Sequence, residues 1–216
     1  QQNFVMSLQA RSDRQGWASR IADIMMDANS NQDLSMNITL SGSNTLQSGG
    51  LSAPYAVGAG GVNDYWSLQP GNPDAWSVNR NRAYDAILAQ SQTHLFATEF
   101  AKTQRRSIDL GVELRAALEN TAAPETVFQQ GSRLAGMLKM IAHLIAARET
   151  LGMRRQIFFV GIGDYDTHGD QVNRYPVLMR ELNHALSSFY DATQELGVSE
   201  QVTTFTARDF GRTLTS

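Results

Sequence analysis

The chain has no cysteine, which excludes disulfides, thiolate nucleophiles and cysteine-ligated zinc while leaving the compartment open. Long hydrophobic runs are missing too. Nothing approaches the roughly 18 consecutive apolar residues of a membrane-spanning helix, and Gln1-Gln2-Asn3-Phe4 has neither the charged nor the apolar region of a signal peptide. Basic charge is not in excess. The 18 Lys and Arg are scattered among 21 Asp and Glu, for a formal net charge of -3, so no positive field exists to collect a phosphate backbone and nucleic acid is not an expected partner.

What is present is ordinary globular material. With 216 residues, 42% apolar and 18% charged, the chain is long enough to bury roughly 70% of its unfolded surface. This predicts a single α/β domain with a loop-rich excursion over about residues 42–74, where Ser, Asn, Gly and Pro are frequent. The chain starts at Gln1 without an initiator Met and stops at Ser216 just after a probable strand, so a fragment incomplete at both ends is expected.

Periodicity supplies the elements. Trp17, Ile21, Ile24 and Met25 share one face of a short helix over residues 16–27, with Ser12 or Asp13 as an upstream cap and Met25-Met26 as core filler. Met36, Ile38 and Leu40 alternate with Asn37, Thr39 and Ser41 as in a half-buried strand, and residues 55–57 suggest another. Trp76, Ala83, Ile87, Leu88, Leu95, Phe96 and Phe100 recur at helical steps, predicting one long or two consecutive helices over residues 74–120. A further helix is expected over residues 132–151, with Leu134, Met137, Leu138, Ile141, Leu144 and Ile145 as its stripe and Gly152 at its end. The apolar run over residues 156–162 predicts a central strand covered on both faces. Tyr175, Leu178, Leu182, Leu186, Phe189 and Leu196 then outline a helix closed by Gly197, and residues 202–206 a following strand. Strand, helix and strand at this length predict a βαβ unit with a parallel pair.

In open parallel sheets ligands bind outside the carboxyl ends of the strands. Gly163-Asp164-Tyr165-Asp166-Thr167-His168-Gly169-Asp170 leaves the apolar strand at that end, and Asp209 leaves the next one. Carboxylates and an imidazole so arranged are the ligand types of divalent metal sites, for Zn, Mn, Mg or Ca. Asp164, Asp166, His168 and Asp209 are therefore the candidate metal ligands, and a metal held there would polarise a phosphoryl or sulfuryl oxygen. The alternative is that these residues only cap the following helix.

Other features carry less chemistry. His143 and His184 fall inside amphipathic helices, where packing or exposure is the ordinary role, and His94 has no acidic neighbour in sequence. Gly58-Ala59-Gly60-Gly61 lacks the strand, helix and Lys-Ser/Thr of a phosphate-binding loop and is expected to be a turn. Asp191 and Glu195 fit a solvated helix face.

Asp166-Thr167-His168-Gly169-Asp170-Gln171, with Asp209-Phe210-Gly211-Arg212-Thr213 after the intervening helix and strand, resembles a paired motif. It marks an uncharacterised bacterial family exported through twin-arginine signals and related to the sulfatase and alkaline phosphatase superfamily. Gly16-Trp17 with Arg20, and the helix over residues 134–151, resemble further elements of that family. The resemblance implies an alkaline-phosphatase-like three-layer α/β/α fold with a mainly parallel sheet and a periplasmic or secreted location. It also implies metal ligands at Asp166, His168 and Asp209, and a phosphate or sulfate ester as substrate. Asp164 stands where the family usually has glycine, but it forms an Asp-x-x-x-His spacing with His168, so either aspartate can be the ligand. Asp-x-His-Gly also opens the motif set of calcineurin-like metallophosphoesterases, whose later Gly-Asn-His-Glu element is missing here. The competing expectation is a non-catalytic exported module, binding through Tyr55, Tyr65 and Trp66 of the excursion.

Overall fold

A computed structural model describes residues 15–51, 53–62, 68, 71–90 and 93–208. In chain order the helices and strands are α1 (Trp17–Ile24), β1 (Asn37–Thr39), β2 (Tyr55–Ala56), α2 (Ala75–Leu88), α3 (Leu95–Glu119), α4 (Arg133–Ala146), β3 (Ile157–Phe159) and α5 (Gln171–Glu195). The fold is mixed α/β, and the described residues form five helices and a three-stranded sheet of order β2-β1-β3. Both pairings are parallel: Ile38 faces Tyr55 on one side, and Asn37 to Thr39 face Ile157 to Phe159 on the other.

The core lies where α4, α5 and the second half of α3 meet one face of the sheet. Ile38, Leu40 and Val57 pack there with Leu110, Leu114, Leu134, Met137, Leu138, Ile141, Leu144 and Phe189. Helix α4 begins where Ser132 accepts a hydrogen bond from the Ala135 amide at 3.1 Å, and its predicted stripe is buried throughout. Helix α5 ends as predicted: Gly197 adopts φ 67°, the Val198 amide reaches Thr193 O at 2.9 Å, and the Gly197 amide reaches Gln194 O at 2.9 Å. Pro176 lies within the opening turns of α5.

Three expectations about the sheet and its flanks are corrected. The apolar run over residues 156–162 does not form a central strand: β3 is half-buried at the edge, and β1 is central. The neighbour expected at residues 202–206 is extended chain outside the sheet, its residues 203–206 exposed, so the βαβ unit is not closed. Phe205 stacks instead on Trp17, with ring centroids 6.2 Å apart. Strand β1 is not half-buried, because Asn37 and Thr39 are as buried as Ile38. Thr39 Oγ1 donates inside to Gly42 O at 2.7 Å and Asn37 Nδ2 to Ala18 O at 3.4 Å, while Asn37 Oδ1 is buried with no hydrogen-bond partner among the described residues.

The apolar stripe of α1 faces the wrong way for a core. Ala18, Ser19 and Ala22 are buried, while Ile21, Ile24, Met25 and Met26 are exposed, so Met25-Met26 is not core filler. Close approach of the residue 45–46 backbone selects the small side: a Cβ at Gly16 would overlap the carbonyl oxygens of Thr45 and Leu46. Gly16 itself is the N-cap; Ser12 and Asp13 lie outside the described residues. Two consecutive helices, α2 and α3, occupy residues 75–119 as expected, but Trp76, Ile87, Leu95, Phe96 and Phe100 are exposed rather than buried.

Candidate functional site

The loop that leaves β3 departs from the carboxyl end of the sheet, as the parallel strands require. It begins at Gly161, whose amide donates to Ser41 Oγ at 2.7 Å, so the exit of β3 is tied to the exit of β1. Asp164 follows with φ 70°, the left-handed region that glycine adopts freely and that Asp tolerates better than most residues.

The next residues divide by direction. Thr167 is 2% exposed and points inward, and its amide closes a tight turn onto Tyr165 O at 3.1 Å. Asp166 and His168, on either side of it, have side chains 59% and 67% exposed, and they meet: Asp166 Oδ1 lies 2.8 Å from His168 Nδ1. A carboxylate on Nδ1 fixes the orientation of the imidazole and leaves Nε2 as the nitrogen available to a metal or substrate.

The loop is fastened on its far side by Tyr165, whose hydroxyl donates to Leu178 O of α5 at 3.4 Å. Partial burial pushes this phenol up from its usual value, and the nearby Glu181 carboxylate and Tyr175 add to the effect. Glu181 accepts the Ser132 hydroxyl at 2.6 Å, so α5 is joined to the start of α4. The capping alternative finds little support. The N-cap of α5 is Asp170, whose side chain takes no bond from the helix backbone and accepts from Asn173 Nδ2 at 2.8 Å.

Of the four candidate ligands, the structure brings two together. Asp164 is exposed and does not complete a cluster: among the described residues no three His, Asp or Glu side chains gather closely enough to hold one metal ion. Asp209, Tyr65 and Trp66 lie outside the described residues. In chemistry the Asp166–His168 pair fits a divalent cation, supplying one oriented nitrogen and carboxylate oxygens, but it is two groups where such a site takes four or more ligands.

Two clefts lie elsewhere. One of about 770 Å³ runs along α3 beside Lys102, Arg105 and Asp109. Another, of about 800 Å³, opens beside Met36, Pro54 and Tyr55, at the amino ends of the strands and opposite the acidic loop. Burial raises the Tyr55 phenol there, with Arg115 pulling the other way. Asp33 and Glu99 offset Arg106 and Arg115 in its walls, so its shape comes without a net field.

The remaining histidines differ in their surroundings. His143 Nε2 lies 2.8 Å from Thr121 O, fastening the chain after α3, and His184 is exposed on α5. His94 stands at the N-cap of α3 beside Phe96. Gly58 and Gly61 exchange backbone hydrogen bonds of 2.8 and 3.0 Å across the expected turn. Glu195 has more to do than solvate a helix: it accepts from the amides of Glu125 and Thr126 at 2.7 and 2.9 Å and from Thr126 Oγ1 at 2.6 Å. The Thr126 hydroxyl, then the Glu125 amide, hold its carboxyl below the usual range. Sequence reasoning also passed over Ser41, which only its register with Gly161 beyond the β1–β3 pairing could have indicated.

A family model described as protein of unknown function, DUF1501, matches residues 71–216, more than half of the chain. No curated protein and no solved structure matches it.

Proposed function

This chain belongs to the DUF1501 family of proteins of unknown function, and we propose that it carries part of the centre of a metal-dependent hydrolase of phosphate or sulfate esters. The reading includes an alkaline-phosphatase-like fold and an exported, periplasmic or secreted protein. The observation that carries it is the Asp166–His168 pair, 2.8 Å apart and open to solvent on a loop leaving the carboxyl end of a parallel strand. His168 Nε2 and Asp166 are the first metal ligands in this reading, with Asp166 Oδ1 also orienting the ring through Nδ1. Asp209 and Asp164 are the further carboxylates proposed to complete the set. A bound Zn, Mn, Mg or Ca ion would supply Lewis acidity toward an ester oxygen. The chain's own part is to hold the imidazole in one tautomer and to keep the face above it open to a charged ester.

Metal analysis of the full-length protein tests this. Wild type is expected to retain a divalent ion that His168→Ala and Asp166→Ala reduce, and to turn over phosphate or sulfate esters in a His168-dependent way. Equal metal content in all three proteins would remove the proposal. A second reading, a non-catalytic exported module on the same fold, draws on the fact that the described residues gather two candidate ligands and not three. It predicts no His168-dependent turnover on any mono- or diester of either acid.

A further inference from the structure

We propose that Ser41 is a positioning residue for the acidic loop, its hydroxyl fixing the point at which the chain leaves the sheet toward Asp166 and His168. The inference rests on the reading of that loop as a metal site and adds a residue to it. Strands β1 and β3 pair in register from Asn37–Ile157 to Thr39–Phe159, and the last backbone rung is Leu40 N to Phe159 O at 2.9 Å. Where the next rung would fall, a side chain takes its place. Ser41 Oγ accepts from Gly161 N at 2.7 Å, and its single proton is within reach of Gly161 O at 3.2 Å and Met137 Sδ at 3.7 Å, so the hydroxyl stands in for the missing backbone partner of a half-buried residue. The hydroxyl is itself held. Thr39 Oγ1 accepts from Ser41 N at 3.2 Å and donates to Gly42 O at 2.7 Å, closing the turn behind it.

Among the described residues, the next backbone hydrogen bond along the loop is Thr167 N to Tyr165 O, 3.1 Å. The segment between Gly161 and Tyr165 thus hangs between two fastenings, the Ser41 hydroxyl on the sheet side and the Tyr165 hydroxyl on the α5 side. Without the first, the stretch that carries Asp166 and His168 loses its fastening to the sheet. Partners that orient metal ligands from behind typically change affinity about 10-fold or more when removed.

The test uses the full-length protein with Ser41→Ala, Ser41→Thr and, one step back, Thr39→Val. Mn2+ binding is measured by titration calorimetry, and the imidazole 15N shifts of His168, which report the Nδ1 bond to Asp166, by NMR. Ser41→Ala is expected to weaken Mn2+ about 10-fold and to move the His168 shifts, Ser41→Thr to restore both, and Thr39→Val to act in the same direction more weakly. If Ser41→Ala does not fold, Thr39→Val decides on the same two readouts. Wild-type Mn2+ affinity in Ser41→Ala, or a Ser41→Thr protein that behaves like Ser41→Ala, would overturn the inference and leave the metal reading standing. If the wild type itself takes up no Mn2+, the metal reading fails, and unchanged His168 shifts in Ser41→Ala would then overturn the positioning role as well.

Discussion

Helices α2 and α4 have the same length, 14 residues, and opposite fates. Every member of the α4 stripe is buried, whereas Ser77 is the buried residue of α2 and Trp76 is 72% exposed. The difference lies in how the apolar residues are distributed. In α4 they fall at three- and four-residue steps and make one band wide enough to lie against α5 and the sheet. In α2, Trp76 and Val78 sit two residues apart, on different sides of the helix, with Asn79, Arg80, Asn81 and Arg82 following. Arg80 covers part of Trp76, its guanidinium 5.0 Å from the ring. Apolar content with helical spacing is enough to make a helix. Burial needs a single continuous band.

Four substitutions sharpen that contrast. Leu144→Ala, fully buried in the last turn of α4, should destabilise the protein by roughly 2–5 kcal/mol in denaturant unfolding; a loss below about 1 kcal/mol would mean the α4 interface is loose. Ser132→Ala removes the α4 cap and the Glu181 contact together and should cost about 1 kcal/mol in the same assay. Glu195→Gln should act locally, speeding amide exchange at Glu125 and Thr126. Because the folded carboxyl titrates below its ordinary 4.5, its contribution is complete above that pH and disappears as the pH falls through the lower folded value. The same rise in exchange should therefore appear in the wild type on acidification and be absent from the variant. Phe96→Ser, on a ring 78% exposed, should change stability by less than about 0.5 kcal/mol while leaving the helix intact by circular dichroism; a larger loss would show that the α2–α3 face is covered in the protein in solution.

The same contrast marks what could be read in the residues. Helix α4 was legible in its stripe and in its start at Ser132, and α5 in its stop at Gly197; α4 itself ends at Ala146, short of the stop expected at Gly152. Strand order was not. The run around Ile157 has the composition of a doubly covered strand, yet its outer neighbour does not pair, and composition cannot report a missing partner. Alternation in β1 misled in the opposite sense, since Asn37 and Thr39 face internal hydrogen-bond partners where the pattern suggests water. In the loop, the spacing of Asp166 and His168 around an inward Thr167 was visible. The left-handed backbone of Asp164 and the hydroxyl of Ser41 depend on the path of the chain and had no one-dimensional signature.

Pro176 has a mechanical consequence for that loop. Lacking an amide hydrogen, it leaves the Val172 carbonyl without its helical donor, and its ring crowds that same oxygen. The opening turns of α5 are thereby one backbone hydrogen bond short, although the helix runs on without a break to Glu195. Tyr165 fastens the loop to α5 at Leu178, beyond that missing bond, so the Asp166–His168 end is carried by the same stretch of helix that packs around Ala185 and Phe189.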